Sequence, residues 1–331
     1  MRILVAGASG AIGRRLIPKL VQAGHTVAGM TRTSNKADLV RATGADPVIV
    51  DALDPAAVTA AIQGLRPDVI VHELTAIPAR LDIRNYNREF ALTNRLRREG
   101  TNNLIAGALE AGVRRFIAQS FAPLVYARQG SPVKTEDDPM DSNPPPALRK
   151  TLKAIQHLEA ATLGIRGISG IVLRYGAFYG PGTFFGEGGL GLEDLRRRKI
   201  PVVGNGAAIW SFIHIDDAAE ATLAAVERGD PGIYNVVDDD PAPVSEWLPA
   251  LAAAINAPPP RHVPAFIARL AVGKHGVVMM NEIRGSSNIK AKRELLWKPQ
   301  WPSWREGFRF GLTDDATQLH RSDIVRPAVS N

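Results

Sequence analysis

The chain has 331 residues, of which 45% are hydrophobic and 22% charged. Those proportions exclude a wholly disordered or fibrous chain, and the length suits two domains or one large one. Forty Lys and Arg against 33 Asp and Glu leave a net charge of +7, and there is no cysteine. Disulfides, thiolate catalysis and cysteine metal sites are therefore excluded, and no metal centre is expected.

Apolar runs such as Val69-Ile70-Val71 are far shorter than the roughly 18 residues of a membrane span. The start, Met1-Arg2-Ile3-Leu4-Val5-Ala6-Gly7, lacks the long apolar stretch of an export signal. The expectation is a cytoplasmic protein with no membrane partner. The densest basic run, Arg196-Arg197-Arg198-Lys199, reads as a solvated helix end, and no nucleic-acid partner is expected.

In chain order, Arg2–Ala6 reads as a short apolar strand and Ile12–Ala23 as a helix, with Ile12, Leu16, Ile17, Leu20 and Val21 at helical spacing. Strands follow at 26–30 and 47–50, with a short helix at 37–43 between them. Helix 55–63 leads to strand 68–72, and a long helix, irregular near Arg97–Gly100, covers 88–111. Strand 114–119, a proline-rich loop at 139–146, helix 148–163 and strand 168–174 come next. Gly180 to Gly191, with six glycines, reads as a flexible loop, followed by helix 216–228, strand 233–237 and helix 245–255. Alternating strands and helices imply βαβ units in a parallel sheet with right-handed crossovers.

The first strand runs directly into Gly7-Ala8-Ser9-Gly10-Ala11-Ile12-Gly13, which opens a helix. Gly7 permits the tight turn, Gly10 admits a pyrophosphate to the backbone, and Gly13 lets helix and strand pack closely. The helix N-terminus adds N–H donors and the positive end of its dipole. Gly7, Ser9, Gly10, Ala11, Ile12 and Gly13 are the expected dinucleotide contacts.

This G-x-x-G-x-x-G spacing resembles the extended, epimerase-like branch of the short-chain dehydrogenase/reductase superfamily. Further segments resemble that branch in order: Asp51-Ala52-Leu53-Asp54, Val69-Ile70-Val71-His72, Gly100-Thr101-Asn102-Asn103-Leu104, Arg174 to Gly182, Phe212 to Ala218, Tyr234-Asn235-Val236 and Ala291 to Pro299. The resemblance spans about residues 1–311. It implies a Rossmann-like, doubly wound α/β domain with a smaller C-terminal substrate domain. The expected division is 1–174 with about 211–237 returning, 175–210 with 238–315, and a tail at 316–331. It also implies that Asp51, Ala52 and Leu53 flank the adenine, and that Leu74, Thr75 and Ala76 line the ribose and nicotinamide side. Relatives often dimerise through the two helices that correspond here to 88–111 and 148–163, so a homodimer is a candidate assembly.

After the second strand the chain reads Met30-Thr31-Arg32-Thr33-Ser34, without the carboxylate that usually meets the adenosine ribose of NAD. Arg32 instead offers a planar, charged fork suited to a 2′-phosphate, with Ser34 and Lys36 nearby. NADP(H) is therefore favoured over NAD(H).

The superfamily resemblance implies a Ser/Thr–Tyr–Lys trio, with the tyrosine and lysine one helical turn apart. Aligning Glu159 with the glutamate of Y-x-x-x-K-x-x-x-E puts Thr151 at the tyrosine and Ile155 at the lysine, and no Y-x-x-x-K occurs in the chain. The serine position falls on Phe121 or Ala122, with Ser120 one residue before. A hydride transfer to a carbonyl needs a proton donor, worth about 10²–10⁴ in rate. Substitute candidates are Ser120, Tyr126 and Lys153, with Tyr175 and Tyr179 behind them. Lys153 stands two positions from the usual lysine, a rotation of about 200°. His72 and His214 read as hydrogen-bonded structural histidines.

Trp210 and Ser211 replace the Arg-Asp pair that relatives use for a sugar phosphate, and Ala177 replaces an asparagine. Tyr175, Phe178, Phe184, Phe185 and Trp210 lie in segments expected at the substrate mouth, or else pack the C-terminal domain. They argue for a small, fairly apolar organic substrate. Three functions remain open: an NADP(H)-dependent oxidoreductase on a carbonyl or alcohol with a nonstandard proton donor, an epimerase or dehydratase of the same superfamily, and a noncatalytic dinucleotide sensor.

Overall fold

The computed structural model describes residues 1–314; the expected tail at 316–331 lies outside the described residues. Seven strands form one parallel sheet: β1 (Arg2–Ala6), β2 (Thr26–Thr31), β3 (Asp46–Ile49), β4 (Val69–His72), β5 (Arg115–Phe121), β6 (Ser169–Tyr175) and β7 (Gly232–Val236). Their spatial order is β7-β6-β5-β4-β1-β2-β3. The chain reverses direction across the sheet between β1 and β4, which is where a doubly wound fold opens a ligand crevice at its carboxyl edge.

Helices cover both faces. On one, α1 (Ala11–Gln22) and α5 (Ile215–Arg228) bury Leu16, Ile17, Leu20, Ala221 and Ala225 against Val5, Val71 and Leu173. On the other, α2 (Pro55–Leu65), α3 (Thr101–Ala111) and α4 (Pro146–Leu163) bury Val58, Ile62, Leu104 and Leu158 against Leu4, Ile70 and Phe116. Strands buried on both faces read as continuous apolar runs, as Val69–His72 does. A second, aromatic core holds Tyr179, Phe185, Phe212, Trp247, Trp301, Trp304 and Phe308 beside the sheet.

The long helix expected at 88–111 is broken. It runs as Tyr86–Glu89, Ala91–Arg95, a π-helical turn at Leu96–Gly100, and then α3. Such turns carry one extra residue and are frequent at functional sites. Helix α4 starts at Pro146, two residues early, because proline suits the first helical position. The glycine-rich loop is tied down rather than loose: Gly180 N–H donates to Phe185 O at 3.1 Å and Glu187 N–H to Leu312 O at 2.9 Å. Helices Leu190–Arg196, Ala265–Asn281 (kinked at Gly273), Ile289–Glu294 and Trp304–Phe310 are absent from the chain-order sequence reading. Arg196 to Lys199 are exposed at a helix end, with Arg197 paired to Glu193 and Lys199 to Asp194. Among the described residues, no helix is long and apolar enough to cross a membrane.

Candidate active site

The turn after β1 is shaped by two glycines. Gly7 has φ +99°, and a Cβ there would lie 2.6 Å from Glu73 O. A Cβ on Gly13 would lie 2.6 Å from the carbonyl oxygens of Gly7 and Ala8. No side chain fits at either point, so backbone is packed against backbone beneath an open rim. Ser9 and Ala11 are half-buried on that rim and Gly10 is exposed, while Ile12 is buried in the core below. Helix α1 begins with no side-chain cap and no acidic residue in its first turn, leaving its N–H groups free for an anion. This cradle fits the pyrophosphate of a dinucleotide.

The other expected cofactor residues leave the same edge of the sheet. Arg32, Ser34 and Lys36 are exposed just past β2. Past β3, Asp51 is exposed, Leu53 half-buried and Ala52 buried, and Leu53 N–H donates to the Asp51 carboxylate at 3.0 Å. Past β4, Leu74 and Ala76 are half-buried and Thr75 is exposed; Ala76 N–H donates to Thr93 Oγ1 at 3.0 Å.

Ser120, next to last in β5, lies at this same carboxyl edge, but the proton-donor candidates there are already held by partners. Ser120 donates to Glu159 Oε1 at 2.6 Å, and Arg174 grips both oxygens of Glu159 at 2.9 and 2.7 Å. Arg174 also donates to the Tyr126 hydroxyl at 3.0 Å, and that hydroxyl donates to Asn235 Oδ1 at 2.6 Å. All five residues are buried. Ser120 and Tyr126 are thus committed to a network joining β5, α4, β6 and β7, and burial pushes the Tyr126 phenol up to about 12. Lys153 is exposed on the outer face of α4, whereas Thr151 and Ile155 are buried. Ile155 packs with Leu152, Tyr126 and Val237. Thr151 accepts from Asn94 Nδ2 at 3.1 Å. The two positions implied for tyrosine and lysine therefore hold a hydrogen-bonded hydroxyl and an aliphatic side chain.

The histidines are structural ties. Thr101 Oγ1 donates to Arg97 O at 2.8 Å, so it accepts from His72 Nε2 at 2.9 Å, while His72 Nδ1 accepts from Leu74 N–H at 3.3 Å. Burial, with Arg97 adding to it, lowers His72 to about 3 and keeps it neutral. His214 Nδ1 caps α5 through Asp216 N–H, and Nε2 meets Gly311 O at 2.9 Å.

The aromatic residues expected at the substrate mouth divide. Tyr175 is wholly buried beneath the edge, bonded to Thr222 at 2.6 Å and Glu73 at 3.2 Å, so its ring lines no open mouth. Phe185 is buried against Trp247, and Trp210 packs on Phe212 and Trp247 with its Nε1 donating to Met279 O at 2.9 Å. Phe185 belongs to the second, aromatic core, and Trp210, half-buried, packs against it. Phe178, half-buried beside Tyr175, and Phe184, exposed, remain available to a ligand.

Sequence reasoning missed Glu73, Tyr86, Asn94 and Arg97. Glu73 is buried at the end of β4 with Oε2 unpartnered, and burial pushes its carboxyl up to about 8, against a hydrogen bond with Tyr175. Tyr86 is buried with its hydroxyl on Thr151. Arg97 is buried in the π-helical turn. The one available signal was the irregularity expected at 97–100.

Known proteins agree with this architecture. The model of the NAD dependent epimerase/dehydratase family matches residues 3–236. A Streptomyces sp. protein named 3-diazoavenalumate denitrifying reductase is 44% identical, over 93% of this chain and 99% of its own. The 2-alkyl-3-oxoalkanoate reductase of Stenotrophomonas maltophilia is 28% identical over 78% of this chain and 77% of its own. In fold, the chain is similar to UDP-glucose 4-epimerase of Thermotoga maritima, with a TM-score of 0.73 at 23% identity, covering 98% and 100% of the two chains. The chain is an NAD(P)-dependent oxidoreductase of the extended short-chain dehydrogenase/reductase type, and it belongs to the NAD-dependent epimerase/dehydratase family.

Proposed function

We propose that the chain is an NADP(H)-dependent reductase of aromatic diazo compounds, removing the diazo group as dinitrogen. The observation that carries this reading is the filling of the proton-donor positions by Thr151 and Ile155, with Ser120 and Tyr126 bound into the Glu159–Arg174 network. A carbonyl substrate needs a proton at its developing alkoxide. The reduced nicotinamide, when bound, supplies a hydride, and an aryl diazonium carbon that takes it forms a C–H bond while the C–N pair leaves with dinitrogen, so no proton is required. The relative at 44% identity, named as a denitrifying reductase of a diazo compound, favours the same substrate class.

The chain's own contribution is to hold and shield. The cradle at Gly7–Gly13 holds the pyrophosphate, and Leu74, Thr75 and Ala76 border the path toward the nicotinamide. Arg32, with Ser34 and Lys36, favours the 2′-phosphate of NADP(H). Phe178 and Phe184 offer apolar surface to an aromatic ring. A homodimer through the outer helices is part of this reading, supported by exposed Leu109 on α3 and Leu163 on α4.

A small carbonyl or alcohol is the second reading, favoured by the relative named as an oxoalkanoate reductase. NADPH consumption separates the two, measured with an aryl diazo carboxylate and with a panel of aldehydes and ketones. One dinitrogen released per NADPH consumed, with little turnover of the panel, supports the diazo reading. Turnover confined to carbonyls, slowed in D2O, overturns it.

A further inference from the structure

Arg97 is the least explained charge in the fold. It is 5% exposed, its Nη1 is buried without a hydrogen-bond partner, and its side chain forms no ion pair with any described residue. A guanidinium keeps its charge, and a buried charge without a partner is strongly unfavourable. The carboxylate that acts on it, Glu159, is already taken by Arg174 and Ser120.

Its neighbours fix where it lies. Arg97 interacts electrostatically with Tyr86, whose hydroxyl sits on Thr151, and with Glu159. Thr151 and Glu159 stand one turn before and one turn after Ile155 on α4. The π-helical turn that carries Arg97 packs against α4, the helix that carries Ile155. It also acts on His72, the last residue of β4, which pairs with Ala6 immediately before the cradle. Asn94, one turn before Arg97 on the same helical face, is 7% exposed and has its Oδ1 unpartnered.

Arg97 Nη1, a donor, and Asn94 Oδ1, an acceptor, are thus both unpaired on the helical segment that packs against α4. A carboxylate or phosphate would satisfy Arg97 and oppose the Asn94 oxygen. A pair of hydroxyls satisfies both, because each is donor and acceptor. We propose that Arg97 is a cofactor-positioning residue which, with Asn94, holds the ribose hydroxyls of the nicotinamide half of the dinucleotide. The inference rests on the dinucleotide reading of the cradle. In this chain the cation comes from the π-helical turn, while α4 carries Ile155 where the resemblance implies a lysine.

The test is binding by the full chain, read by fluorescence with NADPH and by calorimetry with 2′,5′-ADP, which carries only the adenosine half. Arg97→Met should weaken NADPH about tenfold and leave 2′,5′-ADP within about twofold. Its melting temperature without ligand should not fall, because an unpaired buried charge has been removed. Arg97→Lys should retain part of the affinity. Adding Ile155→Lys to Arg97→Met should restore much of it, since the cation then reaches the same place from α4. Unchanged NADPH affinity in Arg97→Met, equal loss for both ligands, or a variant that fails to fold would each overturn the proposal. If the parent chain binds neither ligand, the dinucleotide reading itself falls; if the parent binds and Arg97→Met does not differ, only the role of Arg97 falls.

Discussion

Replacing Glu159 by glutamine should destabilise the fold by about 3–5 kcal/mol, the range for breaking a buried ion pair from one side. Glu159 accepts from Arg174 at 2.9 and 2.7 Å and from Ser120 at 2.6 Å, and the two charged side chains are 4% and 3% exposed. The amide keeps one acceptor, turns its NH2 toward a donor, and leaves the guanidinium uncompensated. An exposed pair would be worth less than about 1 kcal/mol, so the outcomes separate clearly. Urea unfolding followed by circular dichroism measures the loss as a lower midpoint at unchanged slope. The double replacement Glu159→Leu with Arg174→Met should cost much less than the sum of the single ones, because no charge is stranded. Ser120→Ala should cost about 1 kcal/mol and leave turnover within about threefold, where loss of a true proton donor would cost about 10²–10⁴. A loss below about 1 kcal/mol for Glu159→Gln, or additive single and double variants, would refute the buried network that holds Ser120 and Tyr126.

Three further outcomes follow from single residues. Gly7→Ala, with φ +99° and Glu73 O at 2.6 Å, should destabilise by about 2 kcal/mol or more and abolish NADPH binding, read by melting and titration. Arg32→Ala should weaken NADPH about 10- to 100-fold and leave NADH unchanged, read as two dissociation constants. Glu73 gives a pH signature. Tyr175 donates to Glu73 Oε1 at 3.2 Å, but burial outweighs that bond and pushes the carboxyl up to about 8, so Glu73 holds a proton at neutral pH. The folded chain keeps that proton to about pH 8 while the unfolded chain releases it near 4.5, so folding loses about 1.4 kcal/mol per pH unit across that window. Glu73→Gln removes this slope, and its stability relative to the parent should rise from pH 5 to pH 8 in urea unfolding; a constant difference would contradict the buried proton.

The sheet was legible because its signals are local and mutually consistent. Apolar runs such as Val69–His72 alternate with helical periodicity, and the glycine turn follows β1 without a gap. The order of motifs from Gly7 to Pro299 told the family. The short helices 289–294 and 304–310 escaped because they hold too few residues to show a period, and their positions are set by docking into the aromatic core. Ser120 and Tyr126 looked available because their partners Glu159, Arg174 and Asn235 are between 39 and 109 residues away in sequence. Lys153 differs: its rotation from the usual lysine position was already readable, and burial of the opposite face of α4 puts it in solvent. Arg97 was hidden because a charged residue in a helical stretch reads as solvent-facing. Only the π-helical turn and the packing of α4 bring it inside. Trp210 and Phe185 show the converse, since an aromatic residue has the same sequence signature whether it lines a cleft or fills a core.

The most direct test of the account follows one hydrogen. The full chain would be given NADPH deuterated at C4 of the nicotinamide and an aryl diazo carboxylate in ordinary water, and the product analysed by mass spectrometry and NMR. The account predicts one deuterium on the carbon vacated by dinitrogen, and none at that carbon when unlabelled NADPH is used in D2O. Product without deuterium at that carbon, or with deuterium drawn from D2O, would contradict hydride delivery without a proton donor.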